Sequence, residues 1–159
     1  MRILLTVHGH KLAFFQVYEV FLIYFRTVAD EDNDDNNGAV TSACFPASRL
    51  RGMNPTADGT LTLYFDSMKN MIGADDQDDE VTVADTVALT ITTHRHKEVM
   101  SALIREINGM KSNPKAKGFL VVADDVTTNA ADETVSAVYF NSDVTACGTI
   151  ALAAPFTGA

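Results

Sequence analysis

The sequence is poor in cysteine and in basic residues, and both shortages narrow its possible functions. Two cysteines, Cys44 and Cys147, are too few for a disulfide scaffold, so we predict a pair of free thiols. Lys and Arg number 12 against 21 Asp and Glu, which gives a net charge of −9. Neutralising phosphates requires clustered basic residues, so a direct nucleic-acid surface is not expected. The same charge disfavours contact with anionic membranes.

Long hydrophobic runs are also missing. From Leu12 to Phe25 the chain is largely apolar but contains Glu19, which makes this stretch too short and too polar for a membrane span. Residues 1–17 begin like a signal peptide, but His8-Gly9-His10-Lys11 interrupts the apolar run and no small-residue cleavage site follows. We predict that residues 1–17 are either an arm that docks on a neighbouring subunit or an appended extension. Residues 18–159 are predicted to form a single α+β domain.

No motif indicates a catalytic or cofactor site. The glycines are scattered without a phosphate loop, and no G-x-S-x-G nucleophile elbow is present. Asp124 and Asp125 follow the apolar run FLVV and resemble the strand-end carboxylates of many enzymes. An adjacent pair without a partner base is more typical of a strand terminus that meets water. The sequence therefore predicts a protein that is not an enzyme and needs no cofactor.

Two histidine pairs and two acidic loops are the candidate metal ligands. His8 and His10, and likewise His94 and His96, could each place two imidazoles, but neither pair has a third ligand nearby. At a helix start, residues i and i+2 also point about 200° apart. In the acidic loop at residues 30–38, Asn33, Asp35, Asn37 and Gly38 match positions 1, 3, 5 and 6 of an EF-hand loop. The match then fails, because position 12 falls on Cys44 instead of Glu and a strand follows where a helix is required. The loop at 75–80 has no such pattern, and we predict no metal site.

Residues 86–125 organise the predicted fold as strand, helix and strand. In HRHKEVMSALIREINGMK the apolar residues recur at helical spacing, so that they form one stripe. The stripe consists of Val99, Leu103, Ile107 and Met110, widened by Met100 and Ile104. Thr92 or Thr93 can cap the helix start. A helix of this length with one apolar face is expected to pack across a sheet.

The remaining chain reads mainly as strands. TVALTITT alternates as a half-buried strand does, and FLVV is typical of a strand buried on both faces. YEVFLIYFRTV and TLTLYF are further strands, the second directly after the turn Asp58-Gly59. Segments 135–140 and 144–152 are predicted to form a hairpin around Asn141-Ser142-Asp143. ASRLRGMNP is predicted to be a short irregular or one-turn segment that ends in the turn Asn54-Pro55. We therefore predict an α+β fold: a mainly antiparallel sheet or sandwich of about six or seven strands with one long helix packed on it.

Charge is distributed unevenly along the chain. About half of the acidic residues lie in the two loops, whereas basic residues gather around the helix: Arg95, Lys97, Arg105, Lys111, Lys115 and Lys117. Such a distribution can attract a charged neighbour or another copy of the chain, and a solvated helix face explains it equally well. We predict a homo-oligomer whose contact residues are Arg95, Arg105 and Lys111 on the helix, Tyr18 and Phe25 on a strand, and Phe156 in the C-terminal tail.

Five segments carry a resemblance to a known family: FPASRLRGMNP, TLTLYFDSMKN, ITTHRHKEVMSALIREI, GFLVVADD and ACGTIALAAPF. From about Phe21 to the C-terminus the chain resembles small acidic proteins encoded near the virion structural genes of marine tailed phages, notably those that infect cyanobacteria. The resemblance implies a non-enzymatic virion component, a capsid decoration or cement protein that binds the outer shell. It also implies the major capsid protein or another virion protein as partner, and assembly in the host cytoplasm. The alternatives are a tail- or neck-associated structural protein and a calcium-dependent binding module.

Overall fold

The computed structural model describes residues 20–34, 40–67, 84–112 and 118–153, and the backbone of four short N-terminal strands. The last two residues of the helix are described by their backbone alone. The strands are β1 (Arg2–Ile3), β2 (Thr6–Val7), β3 (His10–Lys11), β4 (Phe15–Gln16), β5 (Leu22–Arg26), β6 (Ser42–Pro46), β7 (Leu50–Ala57), β8 (Thr60–Phe65), β9 (Asp85–Ile91), β10 (Phe119–Asp124), β11 (Val138–Tyr139) and β12 (Val144–Ala151). The helix is α1 (His96–Ser112), and two 3₁₀ turns span Glu31–Asn33 and Ala47–Arg49.

Eight of the strands form two four-stranded sheets. Sheet 1 has the order β11-β10-β5-β6, and sheet 2 has the order β12-β9-β8-β7. Within these sheets, β5 and β10 run parallel and the other neighbouring strands run antiparallel. The short N-terminal strands form two separate ladders, β1 with β4 and β2 with β3. The predicted α+β class with mainly antiparallel strands and one helix is confirmed for the described residues, although each main sheet has four strands, fewer than the six or seven predicted.

Three phenylalanine rings join the two sheets. The rings of Phe45 in sheet 1 and Phe65 in sheet 2 stack with centroids 4.2 Å apart, and Phe25 meets both edge-on at 6.1 and 6.0 Å. All three side chains are fully buried. Strict alternation places them there, because β5 and β6 bury every second residue and so does β8. Aromatic pairs in these geometries add to the free energy that burial already supplies.

Helix α1 lies between β9 and β10 in the chain and closes one side of the core. Val99, Leu103, Ile107 and Met110 are buried in the core cluster, as the periodicity predicts. Ile104 is the exception in the predicted stripe, since 43 % of its surface is exposed. The helix begins at His96, so neither Thr92 nor Thr93 is its cap residue. Instead Arg95 N–H donates to the carbonyl of Thr92 in a turn that precedes the helix.

Two strand predictions were wrong for topological reasons. In ASRLRGMNP, Ala47–Arg49 form one 3₁₀ turn, which the one-turn alternative allowed, but the rest of the segment belongs to strand β7, which runs through Pro55. A proline is tolerated there because β7 is an edge strand with a register shift between Pro55 and Ala57. The turn of the hairpin predicted at residues 135–152 is present, and in it the Val144 N–H donates to the carbonyl of Asn141 at 3.1 Å. However, β11 belongs to sheet 1 and β12 to sheet 2, so the turn is a corner between sheets.

Within the described residues, α1 is not long and apolar enough to cross a membrane. Residues 1–17 were predicted to be an arm or an extension. Within them the structure describes the backbone of strands β1 to β4. The acidic loop at 75–80 lies outside the described residues.

Candidate functional site

The strand-end carboxylate Asp124 is engaged by an arginine of the neighbouring strand. Asp124 and Arg26 are opposite each other in the parallel β10–β5 register. The guanidinium donates Nε–H to Oδ1 and Nη2–H to Oδ2, both at 2.9 Å, which is the bidentate geometry that makes such pairs strong. The two side chains are only 13 % and 17 % exposed, so water screens this pair little. The hydrogen bond to Asp124 raises the pKa of Arg26 further above its usual value, so this charge is permanent.

Arg26 also organises the loop that follows β5. Its Nη1 lies 3.4 Å from Glu31 Oε1 and 3.5 Å from Asp34 Oδ2. Asp30 accepts the backbone N–H of Asp32 and thereby caps the 3₁₀ turn. Two acidic residues of the 30–38 loop therefore lie beside a half-buried arginine, which neutralises part of their charge.

Asp125, the second strand-end carboxylate, links the two sheets. The Tyr139 hydroxyl donates to Oδ1 at 2.9 Å, and the Cys147 N–H donates to Oδ1 and Oδ2 at 2.9 and 3.0 Å. Tyr139 lies in β11 of sheet 1, whereas Cys147 lies in β12 of sheet 2. Both oxygens of the Asp125 carboxylate accept hydrogen bonds from structural donors, so Asp125 helps to hold the junction of the two sheets together. Asp124, by contrast, joins two neighbouring strands of sheet 1 through Arg26. Neither forms the simple water-facing terminus that the sequence indicated.

The same junction makes stability sensitive to alkaline pH. Burial, with the hydrogen bond to Asp125, raises the pKa of Tyr139 to about 12, and burial raises the pKa of the Cys147 thiol to about 12. Their ordinary values are 10.0 and 9.0. Both groups are neutral acids whose pKa is higher in the folded chain. They contribute stability that is fully present below pH 9 and is lost as the pH rises towards about 12.

We therefore expect the urea midpoint to fall as the pH is raised from 9 towards 12. Cys147→Ala should reduce this fall, because it removes one of the two groups that ionise more readily in the unfolded chain. Equilibrium unfolding followed by circular dichroism in matched buffers measures the difference. An equal fall in the wild type and in Cys147→Ala would contradict the assignment.

Asp85 is a buried carboxylate that the sequence analysis did not single out. Its surface exposure is 0 %, and its Oδ1 accepts the N–H of Ala153 at 2.7 Å. It thereby ties the start of β9 to the chain just after β12. The alternation of DTVALTI places Asp85 on the buried face with Val87 and Leu89, and that signal could have identified it.

The histidine pair at 94 and 96 is used by the turn before α1. His94 has a positive φ of 65°, and its N–H donates to the carbonyl of Asp58. The His96 ring Nε2 lies 2.9 Å from the carbonyl of Ala57. A carbonyl oxygen only accepts hydrogen bonds, so Nε2 carries the proton. Both residues thus anchor α1 to the β7–β8 turn, while the side chains of His8 and His10 lie outside the described residues.

Among the residues the structure describes, no group of three or more His, Cys, Asp or Glu side chains is arranged to hold a metal ion. Asp35, Asn37 and Gly38, three of the residues that match an EF-hand loop, lie outside the described residues. The thiols of Cys44 and Cys147 are free, as the cysteine count predicts.

The six predicted contact residues have different positions in the structure. Arg95 and Arg105 are exposed. Arg95 forms ion pairs with Glu98 at 3.5 Å and Asp143 at 3.3 Å. Phe25 is fully buried in β5, which is paired on both sides, so the prediction that it is a contact residue is corrected. Tyr18, Phe156 and the side chain of Lys111 lie outside the described residues.

One apolar surface was not anticipated from the sequence. Residues of β5, β6 and β10 that alternate with the buried ones point away from the core and are half-buried or exposed. The register places them side by side on sheet 1. We call this surface the outer face: Leu22, Tyr24, Cys44, Pro46, Phe119 and Val121. Phe119 is 49 % exposed, and its ring lies 5.7 Å from that of Tyr24.

Comparisons of the chain with protein-family models, with curated proteins and with solved structures gave no match. The resemblance to virion proteins of marine phages therefore stays a prediction.

Proposed function

We propose that this chain is a non-enzymatic structural protein of a tailed-phage virion, a capsid decoration or cement protein that binds the outer shell. The major capsid protein, or another virion protein, is its proposed partner, and the chain acts as a homo-oligomer. The observation that carries the proposal is the open side of α1. There Ile104 is 43 % exposed, and the exposed basic residues Lys97 and Arg105 flank it.

The geometry of α1 supports a contact role for this side. Lys97, Ser101, Ile104, Arg105 and Asn108 are exposed and recur at spacings of three and four, so they share one side of the helix. The opposite side is anchored by fully buried Val99 and Leu103. An apolar side chain with cations around it, presented on a rigid helix, is suited to an apolar site with an acidic rim. Arg95 is less suited because Glu98 and Asp143 pair with it.

The direct test is mass spectrometry of purified particles of the virus that encodes the chain. A decoration protein would be present in hundreds of copies, in proportion to the major capsid protein. A tail or neck component would be present in about a dozen copies or fewer, as closed rings of subunits are. Absence of the chain from the particles would contradict a virion role.

For shell binding, we expect Arg105→Glu to leave folding unchanged and to weaken binding by about tenfold or more, equivalent to about 1.4 kcal/mol. Sedimentation of the purified variant with undecorated shells measures this. Arg51→Glu is the matched control, since it makes the same charge change on the edge strand β7, where Arg51 forms an exposed ion pair with Asp66. Equal weakening by both variants would indicate a net-charge effect. No weakening by either would show that α1 is structural only.

A further inference from the structure

Among the residues that the structure describes, the exposed large apolar side chains lie in three places. Val20 and Phe119 lie at one end of sheet 1, and Ile104 lies on the open side of α1. Val135 and Val138, which are 36 % and 52 % exposed, lie beside the carboxyl end of β10, and we call these two residues the valine patch. Single exposed apolar side chains are common on protein surfaces, so a contact surface needs a further observation. The charge around the valine patch provides one.

Backbone contacts fix the position of the valine patch. Val138 is opposite Asp124 in the β10–β11 register, and the Val135 N–H donates to the carbonyl of Thr127 at 2.8 Å. Three residues of extended chain span about 11 Å at most, so the two valines lie close together. The valine patch is therefore held at the end of sheet 1 where β5 and β10 finish.

The acidic loop that follows β5 lies against the segment that carries the valine patch. Asp30 forms a parallel bridge with Thr128, and Glu31 Oε2 accepts the N–H of Ala130 at 3.2 Å. These contacts bring acidic residues of both segments to the same end of the sheet. We call the exposed ones the acidic rim: Glu31, Asp32, Asp132 and Glu133.

The sequence around the valine patch carries a large excess of negative charge. Segments 26–34 and 124–139 contain eight Asp or Glu residues and one basic residue, Arg26. The Arg26 side chain is only 13 % exposed and is paired with Asp124. The electrostatic potential at this surface is therefore negative. A matching partner would present an apolar side chain flanked by positive charge.

The open side of α1 has this composition. Ile104 is 43 % exposed there, and Lys97 and Arg105 are exposed beside it. Because Ile104 and the valine patch are both exposed in the single chain, neither covers the other within it. Two copies that met through the same surface would bring like charges together, which is unfavourable. Opposite charges meet only when the open side of α1 faces the valine patch of another copy.

We propose that the open side of α1 in one copy of the chain binds the valine patch and the acidic rim of the next copy. Ile104 packs on the two valines, and Lys97 and Arg105 pair with the rim. Since the two surfaces differ, the contact is head-to-tail, and its repetition closes a ring or extends a filament.

This inference rests on the homo-oligomer of the proposed function and identifies the partner of the open side of α1 as another copy. The assembled copies then bind the shell together, so that many weak contacts act at once. Arg105→Glu would weaken shell binding because it weakens this assembly.

Two matched substitutions test the two surfaces separately. Ile104→Asp places a carboxylate on the open side of α1, and Val138→Asp places one in the valine patch. Both sites are about half exposed, so we expect both variants to fold, which circular dichroism checks. If Val138→Asp does not fold, Val135→Asp replaces it.

Self-association is measured by sedimentation equilibrium without shells, at about 0.15 M salt, where repulsion between the net charges is largely screened. Protein concentrations up to about 0.5 mM populate even a weak contact. We expect the wild type to associate and each variant alone to associate about tenfold more weakly or less. Thr149→Asp is the control, because it adds the same charge at an exposed site on β12 of sheet 2 and should associate as the wild type does.

A mixture of the two variants tests the head-to-tail arrangement. The intact α1 of Val138→Asp and the intact valine patch of Ile104→Asp restore one contact, whereas the other two surfaces bring carboxylates together. An equimolar mixture should therefore form a heterodimer that does not grow further. A mixture without heterodimer would overturn the proposal, and so would a monomeric wild type or a variant that associates as strongly as the wild type.

Failure of this contact can be told apart from failure of the proposed function. A chain that stays monomeric in solution but is present in virus particles would overturn the head-to-tail contact alone. A chain that assembles through this contact but is absent from the particles would contradict the virion role alone.

Discussion

Phe65→Ala is expected to destabilise the protein by about 3–5 kcal/mol, the range for deleting a fully buried aromatic ring. The Phe65 ring stacks on Phe45 and meets Phe25 edge-on, and both partners belong to the opposite sheet. Removing it opens a cavity where the two sheets meet and also removes both aromatic contacts. Urea unfolding followed by circular dichroism measures the loss. At this magnitude a domain of ordinary stability would be partly unfolded at 37 °C.

Tyr64→Ala is the matched control, because Tyr64 precedes Phe65 in β8 and lies on the other face of sheet 2. It is half-buried, so its removal leaves no enclosed cavity, and we expect a loss of about 1 kcal/mol. Equal losses in the two variants would contradict the assignment of the phenylalanine cluster as the join between the sheets.

Leu103→Ala is expected to cost about 2–5 kcal/mol. Leu103 is completely buried in the core cluster, at the centre of the face by which α1 packs on the sheets. Alanine has a higher helix propensity than leucine, so the substitution slightly stabilises the helix itself. The loss of stability therefore comes from the packing of the Leu103 side chain. Thermal and urea unfolding should both show it.

Ile104→Ala tests the adjacent residue, which is 43 % exposed on the open side of α1. We expect a change of about 1 kcal/mol or less, since little enclosed volume is lost and helix propensity improves. If Ile104→Ala were as costly as Leu103→Ala, the helix would be rotated relative to the structure. If Ile104→Ala weakened shell binding while leaving stability intact, it would support the proposed contact surface.

Features that depend on residues close together in the sequence could be predicted. Helix α1, strand β8 and the Asp58-Gly59 turn could be predicted because period, β-propensity and turn chemistry are local. The absence of a phosphate loop or a nucleophile elbow likewise follows from residue identity alone, whereas the structure shows that the two thiols are free. Alternation in DTVALTI is also local, and it places Asp85 on the buried face of β9.

The pairing of strands could not be predicted, because it depends on contacts between residues far apart in sequence. Arg26 and Asp124 are 98 positions apart, and only the parallel β5–β10 pairing makes them neighbours. β7 is a strand despite Pro55 because it lies at a sheet edge, and propensity carries no information about edges. The turn at Asn141 predicts a reversal, but not that its flanking strands enter different sheets.

Sequence alone thus determined an acidic α+β chain with one amphipathic helix and with no recognised catalytic or cofactor motif. Tertiary structure decided what the candidate residues do. In the fold, Asp124 pairs with Arg26, and Asp125 accepts hydrogen bonds from Tyr139 and Cys147. Phe25, predicted to be a contact residue, is buried. The tertiary structure also assembled the apolar outer face from three strands. The physical reason is that periodicity assigns a side chain to a face, whereas strand order and register determine which other side chains share that face.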